Sequence, residues 1–234
     1  MRASDLKALG ASLGIIAAFA FVPGLMEAFV AATKGHPYLT SFVKFAVLAT
    51  FGECLGLRVV TGVYNKPGFG VLPRAFVWGV LGMGIKAAFT IFSNGAPAFL
   101  AELGLPLSVE TLRTGSFGGK LVVAFAISAS MNLIFAPVFM TLHKITDRHI
   151  GDTGGTLARF FTPIPMVRIL RETNWDVMWN FVFKKTIPFF WIPAHTATFL
   201  LPSYLQMLVA ALLGVALGLI LAFASAKAPK KAAA

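Results

Sequence analysis

Apolar residues in this chain come in long runs separated by short polar punctuation; they do not alternate with polar ones. Six such segments stand out, near Ala8–Thr33, Tyr38–Val63, Arg74–Leu100, Lys120–Leu142, Thr186–Pro202 and Tyr204–Ala226. Crossing a hydrocarbon core of about 30 Å takes roughly 20 predominantly apolar residues. Backbone in lipid must satisfy its own hydrogen bonds, so the pattern predicts helices. The lack of alternation excludes a closed β-barrel. Breakers fall between the runs, at Lys34-Gly35-His36-Pro37, Asn65-Lys66-Pro67-Gly68 and Gly104-Leu105-Pro106. The predicted fold is all-α: a polytopic transmembrane helix bundle of about six membrane segments, forming one domain over residues 1–226.

Two segments carry complications. The first follows Arg2 and Lys7 as a signal peptide would, but its apolar run continues past Pro23, longer than a signal h-region, and is read as a span. The fifth holds Pro188, Pro193 and Pro202 together with His195. Each internal proline removes a helical donor, so this segment is expected to cross as a kinked helix whose freed carbonyls, and His195, face the bundle interior.

Composition supports the membrane reading. Of 234 residues, 57% are hydrophobic and 12% charged, against about 25% charged in a soluble domain, and mean hydropathy is +0.80. The net charge of +11 does not imply nucleic acid, because the basic residues punctuate apolar runs and form no stripe. Six spans place fourteen Lys and Arg on the side of the N-terminus and three (Lys34, Arg113, Lys120) opposite. Cytoplasmic loops carry excess Lys and Arg, so both termini are expected in the cytoplasm. The long connection, about 144–185, mixes Arg159, Arg168 and Arg171 with Phe160, Phe161, Met166, Ile169 and Leu170. It suits an amphipathic helix in the headgroup layer, broken near Pro163 and Pro165, or an ordinary linker. Residues 227–234 read as a disordered basic tail. Cys54 is the single cysteine, so the chain has no internal disulfide.

Ionisable groups inside spans cost about 2.5–3.5 kcal/mol each at a helix centre, so Glu27, Lys44, Glu53, Arg58 and Lys86 need partners. Equal sequence distances from the turns near Gly35 and Phe69 put Glu27 level with Lys44 and Glu53 level with Lys86, at 1.5 Å rise per residue. The plain reading is a pair of buried ion pairs that set helix register. The functional one is a polar lining of a hydrated path, with Glu53 and Lys86 within salt-bridge reach. Arg58, near a span end, is expected to snorkel to the interface. Small residues recur every fourth position, at Gly10, Gly14 and Ala18, at Gly52 and Gly56, and at Ala210, Gly214, Gly218 and Ala222; these are packing faces. His143, Asp147 and His149 could begin an acid–base or metal site, although a solvated interfacial cluster is the better reading. No phosphate loop, nucleophile elbow or dinucleotide motif is present, and neither a metal nor a cofactor is expected.

His36-Pro37, followed after fourteen residues by Gly52-Glu53, resembles the early His-Pro and Gly-acid motif of the Mpv-seventeen/PMP-twenty-two family. The stretch Trp191-Ile192-Pro193-Ala194-His195-Thr196-Ala197-Thr198-Phe199-Leu200-Leu201-Pro202 is similar to that family's WP-x-x-Q-x-x-NF-x-x-VP signature. Trp191, Pro193, Phe199 and Pro202 stand at its Trp, first Pro, Phe and last Pro, and Thr198 where the family has Asn. Pro73-Arg74 fits the basic start of the next helix. Ile192 splits the Trp–Pro pair, the Gln is absent unless His195 or Thr196 substitutes, and the spacing is shorter. The family comprises small peroxisomal and mitochondrial inner-membrane proteins with bacterial relatives. The resemblance implies a bundle of four to six helices with channel-like or metabolite-homeostasis roles, and names no substrate.

The sequence therefore points to a non-enzymatic, channel-like or permeability-modulating protein of a bacterial inner membrane, acting on ions or small metabolites. A proton-coupled transporter using Glu53, an interfacial enzyme using His143, Asp147 and His149, and a purely structural partner of other membrane proteins are the alternatives. The bilayer is the expected partner, nucleic acid is not, and a homo-oligomer is left open.

Overall fold

A computed structural model of the chain describes residues 2–105 and 107–227. Among these residues the regular structure is helical, with no strand. Helix α1 (Ala3–Phe21) ends where Pro23 follows, and Gly24 takes a left-handed φ of 77° before α2 (Leu25–Gly35). The first apolar run is thus two helices where the sequence predicts one. Proline has no amide hydrogen and disfavours helix at the residue before it.

His36 closes α2 and opens α3 (Pro37–Thr61), with Pro37 in the first turn. The fixed φ of proline suits that position. Helix α4 (Val71–Glu102) follows a loop whose glycines 62, 68 and 70 all have positive φ. The short α5 (Val109–Thr114) leads to α6 (Phe117–Ile134), and α7 (Ala136–Asp152) continues almost directly, with Pro137 in its first turn. Three short helices then occupy the long connection: α8 (Leu157–Phe160), α9 (Met166–Glu172) and α10 (Trp175–Val177). The break between α8 and α9 falls over Pro163 and Pro165, as their missing donors predict. A π-helical segment, Met178–Trp191, contains Pro188 and passes into α11 (Ile192–Phe199) and then α12 (Ser203–Lys227). The expected tail begins at the last helical residue of α12, and 228–234 lie outside the described residues.

Among the described residues, four helices are long and apolar enough to cross a membrane: α1, α4, α6 and Ser203–Phe223 of α12. The chain is therefore an all-helical protein with several potential membrane-crossing helices. Its surface agrees, since Phe21, Ile16, Leu39, Ile91, Phe117, Leu133 and Ile220 are all more than half exposed.

The core forms where α3, α4, α6, α11 and α12 meet, around Phe45, Ala88, Phe89, Ile127, Phe199 and Ala211. Two of the predicted packing faces meet here. A Cβ on Gly52 would lie 3.0 Å from Val215 Cα, and one on Gly56 3.8 Å from the Gly218 carbonyl, so α3 and α12 touch through backbone. The face on α1 packs differently: nothing lies within 4 Å of a Cβ built on Gly10 or Gly14, and α1 buries no residue. Helix α1 is held at its start by Asp5, which accepts hydrogen bonds from Arg58 Nε and Nη2 at 2.7 and 2.8 Å. Arg58 is thus satisfied by protein, where snorkelling was expected.

Candidate functional site

Arg74 lies one turn into α4 and is fixed from two directions. Its Nε donates to the Phe69 carbonyl at 2.7 Å, and its guanidinium lies 4.4 Å from the Phe69 ring centre. From there Nη1 reaches Glu53 Oε2 on α3 and Asp147 Oδ1 on α7. One turn further along α4, Trp78 donates its indole N–H to Glu53 Oε1 at 2.8 Å. One turn before Asp147, His143 places Nε2 3.5 Å from the same oxygen, with its ring 4.4 Å from that of Trp78. Two i,i+4 pairs, 74/78 and 143/147, therefore gather at Glu53 from two helices: Arg74, Trp78 and His143 face its carboxylate, and Asp147 joins through Arg74. Arg74 and Glu53 are 12% and 20% exposed, so both charges are largely out of water.

The His143 imidazole lies beside the Glu53 carboxylate, between Trp78 and Asp147. Its Nδ1 is buried with no hydrogen-bond partner. A charged ring would need acceptors for both N–H groups, so the geometry favours the neutral form.

The cluster forms one end of a cavity of about 640 Å³ bounded by α3, α4, α6, α7, α11 and α12. Most of its wall is apolar, with Phe45, Phe89, Phe135 and Phe139 prominent, and glycines 214 and 218 of α12 form part of one side. Farther in, a second polar group appears. His195 Nδ1 pairs with the Asn132 side-chain amide, whose nitrogen lies 3.1 Å away. Trp191 stacks on His195 with ring centres 5.1 Å apart and keeps its own indole nitrogen buried and unpartnered. Ser128 donates to the Ile192 carbonyl at 2.8 Å, meeting an acceptor in the first turn of α11. His195 is 8% exposed and points into the bundle.

The expected pairings are replaced. Glu53 binds Arg74 and Trp78, while the Lys86 ammonium donates to Thr90 Oγ1 on its own helix at 3.0 Å. Lys44 is buried, donating to Thr33 Oγ1 at 2.9 Å with its ammonium 4.5 Å from the Phe29 ring centre, and Glu27 is exposed. Among the described residues, no salt bridge joins Glu53 to Lys86 or Glu27 to Lys44. Equal depth gives two helical residues the same height, but each side chain's angle around its helix axis decides whether they meet. The interfacial cluster also divides. His143 and Asp147 face Glu53 and Arg74, whereas His149 is buried on another side, with Nε2 2.9 Å from the Phe160 carbonyl.

Of the motif positions, Glu53, Gly52, Trp191 and His195 line the cavity. Phe199 and Thr198 are buried beside it, Thr198 donating to the Ala194 carbonyl at 2.8 Å. His36 and Pro37 shape the α2–α3 junction, Pro193 lies in the first turn of α11, and Pro202 precedes α12. Arg74, Trp78 and Asn132 are site residues that sequence reasoning missed. The first two carried a usable signal, since Arg74 and Trp78 share a helix face with an acidic partner on a neighbouring helix. Among the described residues, no three His, Cys, Asp or Glu side chains gather as metal ligands. No protein-family model, curated protein or solved structure matches the chain.

Proposed function

We propose that this is a multi-pass membrane protein whose cavity, between Glu53 and His195, is a permeability pathway for small solutes. The observation that carries this reading is the cavity: about 640 Å³, apolar-walled, with a few converging polar groups. Small-molecule sites have this size and composition, and an ionisable cluster between membrane helices is expensive unless function retains it. Four of the positions that resemble the Mpv-seventeen/PMP-twenty-two motifs, Gly52, Glu53, Trp191 and His195, line this space, which is in keeping with that family's channel-like roles.

In the proposed topology α1, α3, α4, α6 with α7, the π-helical segment with α11, and α12 make six crossings of a bacterial inner membrane. Both termini lie on the basic, cytoplasmic side. Helix α3 is long enough but carries Lys44, Glu53 and Arg58, and the fifth crossing is broken by Pro188. Helices α8–α10 lie at the headgroups, with Phe161 and Val167 more than 60% exposed among the arginines.

Proteoliposome flux and planar-bilayer recording test this. The cavity wall at Gly214 has nothing within 4 Å of a built Cβ, so Gly214→Phe should plug the space and stop flux in a folded protein. Undiminished flux would sink the reading. A proton-coupled transporter is the second reading, favoured by the buried, unpartnered His143 Nδ1 beside two carboxylates. Uptake driven by a pH gradient, without unitary current steps, would select it.

A further inference from the structure

The charges around the cavity do not balance. One guanidinium, Arg74, is shared by two carboxylates, Glu53 and Asp147. The neighbouring cations do not reach these carboxylates: Arg58 pairs with Asp5 and Arg148 with Asp152 and Glu172, Lys86 lies outside the cavity lining with its ammonium on Thr90, and Lys144 is exposed to solvent. Lys66 lines the mouth but is exposed to solvent. His143 adds nothing, because its Nδ1 has no acceptor for a second proton. One negative charge is left over, beside a largely apolar wall.

An uncompensated charge in such surroundings is costly, and an occupant that neutralises it recovers that cost. Trp78, Phe135, Phe139 and Trp191 line the same space, and aromatic faces attract cations. A bare metal ion is a poor fit, since it needs a shell of oxygen ligands and no such group of side chains is present among the described residues. We propose that the cavity binds an organic monocation with a substantial apolar body, its ammonium against Asp147 and Glu53 and its carbon skeleton against the aromatic wall. This rests on the reading of the cavity as the protein's solute site.

The test is calorimetric titration of the full chain in nanodiscs with tetrapropylammonium and, as an anion closer to it in apolar size, 2,2-dipropylpentanoate. Tetrapropylammonium should bind saturably, and the carboxylate should not. Asp147→Asn should weaken the cation about tenfold, as expected for losing one nearby charge at intermediate dielectric, and Asp147→Glu should restore most of it. Gly214→Phe, which leaves every charge in place, should abolish binding by filling the cavity. Equal binding of the anion, or full cation affinity in a folded Asp147→Asn protein, would overturn the proposal. Tetrapropylammonium binding without any solute flux would uphold the site and remove the pathway. Flux stopped by Gly214→Phe, with no tetrapropylammonium binding, would uphold the pathway and remove the site.

Discussion

Arg74→Met removes the single cation that holds Glu53 and Asp147 together. Breaking a buried ion pair by deleting one partner costs about 3–5 kcal/mol, because the other charge is left buried and alone. Here the side chains are 12%, 20% and 32% exposed for Arg74, Glu53 and Asp147, so partial solvation puts the expected loss near the low end, about 3 kcal/mol. Glu53→Gln should cost less, about 1–2 kcal/mol, because Arg74 keeps Asp147 and the Phe69 carbonyl. Neutralising all three residues together should recover more than half of the Arg74→Met loss. SDS-driven unfolding followed by tryptophan fluorescence gives these differences, and double-mutant cycles apportion them. Coupling between Glu53 and Arg74 should be about 1–3 kcal/mol, whereas Glu53 and Lys86 should be additive within about 0.5 kcal/mol. Strong Glu53–Lys86 coupling, or an Arg74→Met protein as stable as the parent, would refute the assignment of partners.

Gly52→Leu should destabilise the protein by about 1–3 kcal/mol through overpacking, because a Cβ there already meets Val215 backbone at 3.0 Å; Gly10→Leu, built into open space, should change little in the same unfolding assay. Reporter fusions at Lys34 and Arg113 should respond as non-cytoplasmic, and a cytoplasmic response at either site would overturn the six-crossing topology. Some burial at Asp152 acts to raise its carboxyl pKa, but hydrogen bonds and charge from Arg168 and Arg148 outweigh it and hold the pKa below the ordinary value. A depressed carboxylate contributes stability above its unfolded pKa of about 3.9 and loses it as pH falls through the lower folded value. The protection of α9 amides against exchange, relative to core amides at the same pH, should therefore fall in acid below about pH 4, and a pH-independent relative protection would contradict the bridge.

Long apolar runs carried most of the fold, because lipid leaves the backbone few alternatives to helix. α3, α4 and α12 lie within a few residues of their predicted limits, and His195 points inward as the proline argument requires. The first run was misread as one helix because its hydrophobicity is continuous across Pro23-Gly24. Asp5 to Thr33 spans about twice as many residues as Lys44 to Arg58, yet both ends are tied to α3, so the chain must bend away between them. The site was half legible. Glu53 was found from the cost of burying its charge; His143 and Asp147 were singled out by their spacing but read as a solvated interfacial cluster, whereas they face Glu53 and Arg74. Their partner was missed because Arg74 sits at the start of its helix, where a basic residue already had an explanation as a membrane-flanking charge. The π-helical segment was illegible, since its wider turns share no period with the 3.6-residue pattern used to read helices.

Helix α1 buries none of its residues and is fastened near its beginning by Asp5. In the proposed topology its 19 residues span about 28 Å at 1.5 Å each, close to the thickness of a bilayer's hydrocarbon core. Lipid tails, not neighbouring helices, then set its lean. A thinner membrane makes such a helix tilt, and the tilt would pivot about Arg58, next to the loop that frames the cavity mouth. In that topology the arm would work as a strut whose angle is chosen by the solvent around it, and the Arg58 anchor would be where the thickness of the surrounding membrane becomes a mechanical load on the rest of the bundle.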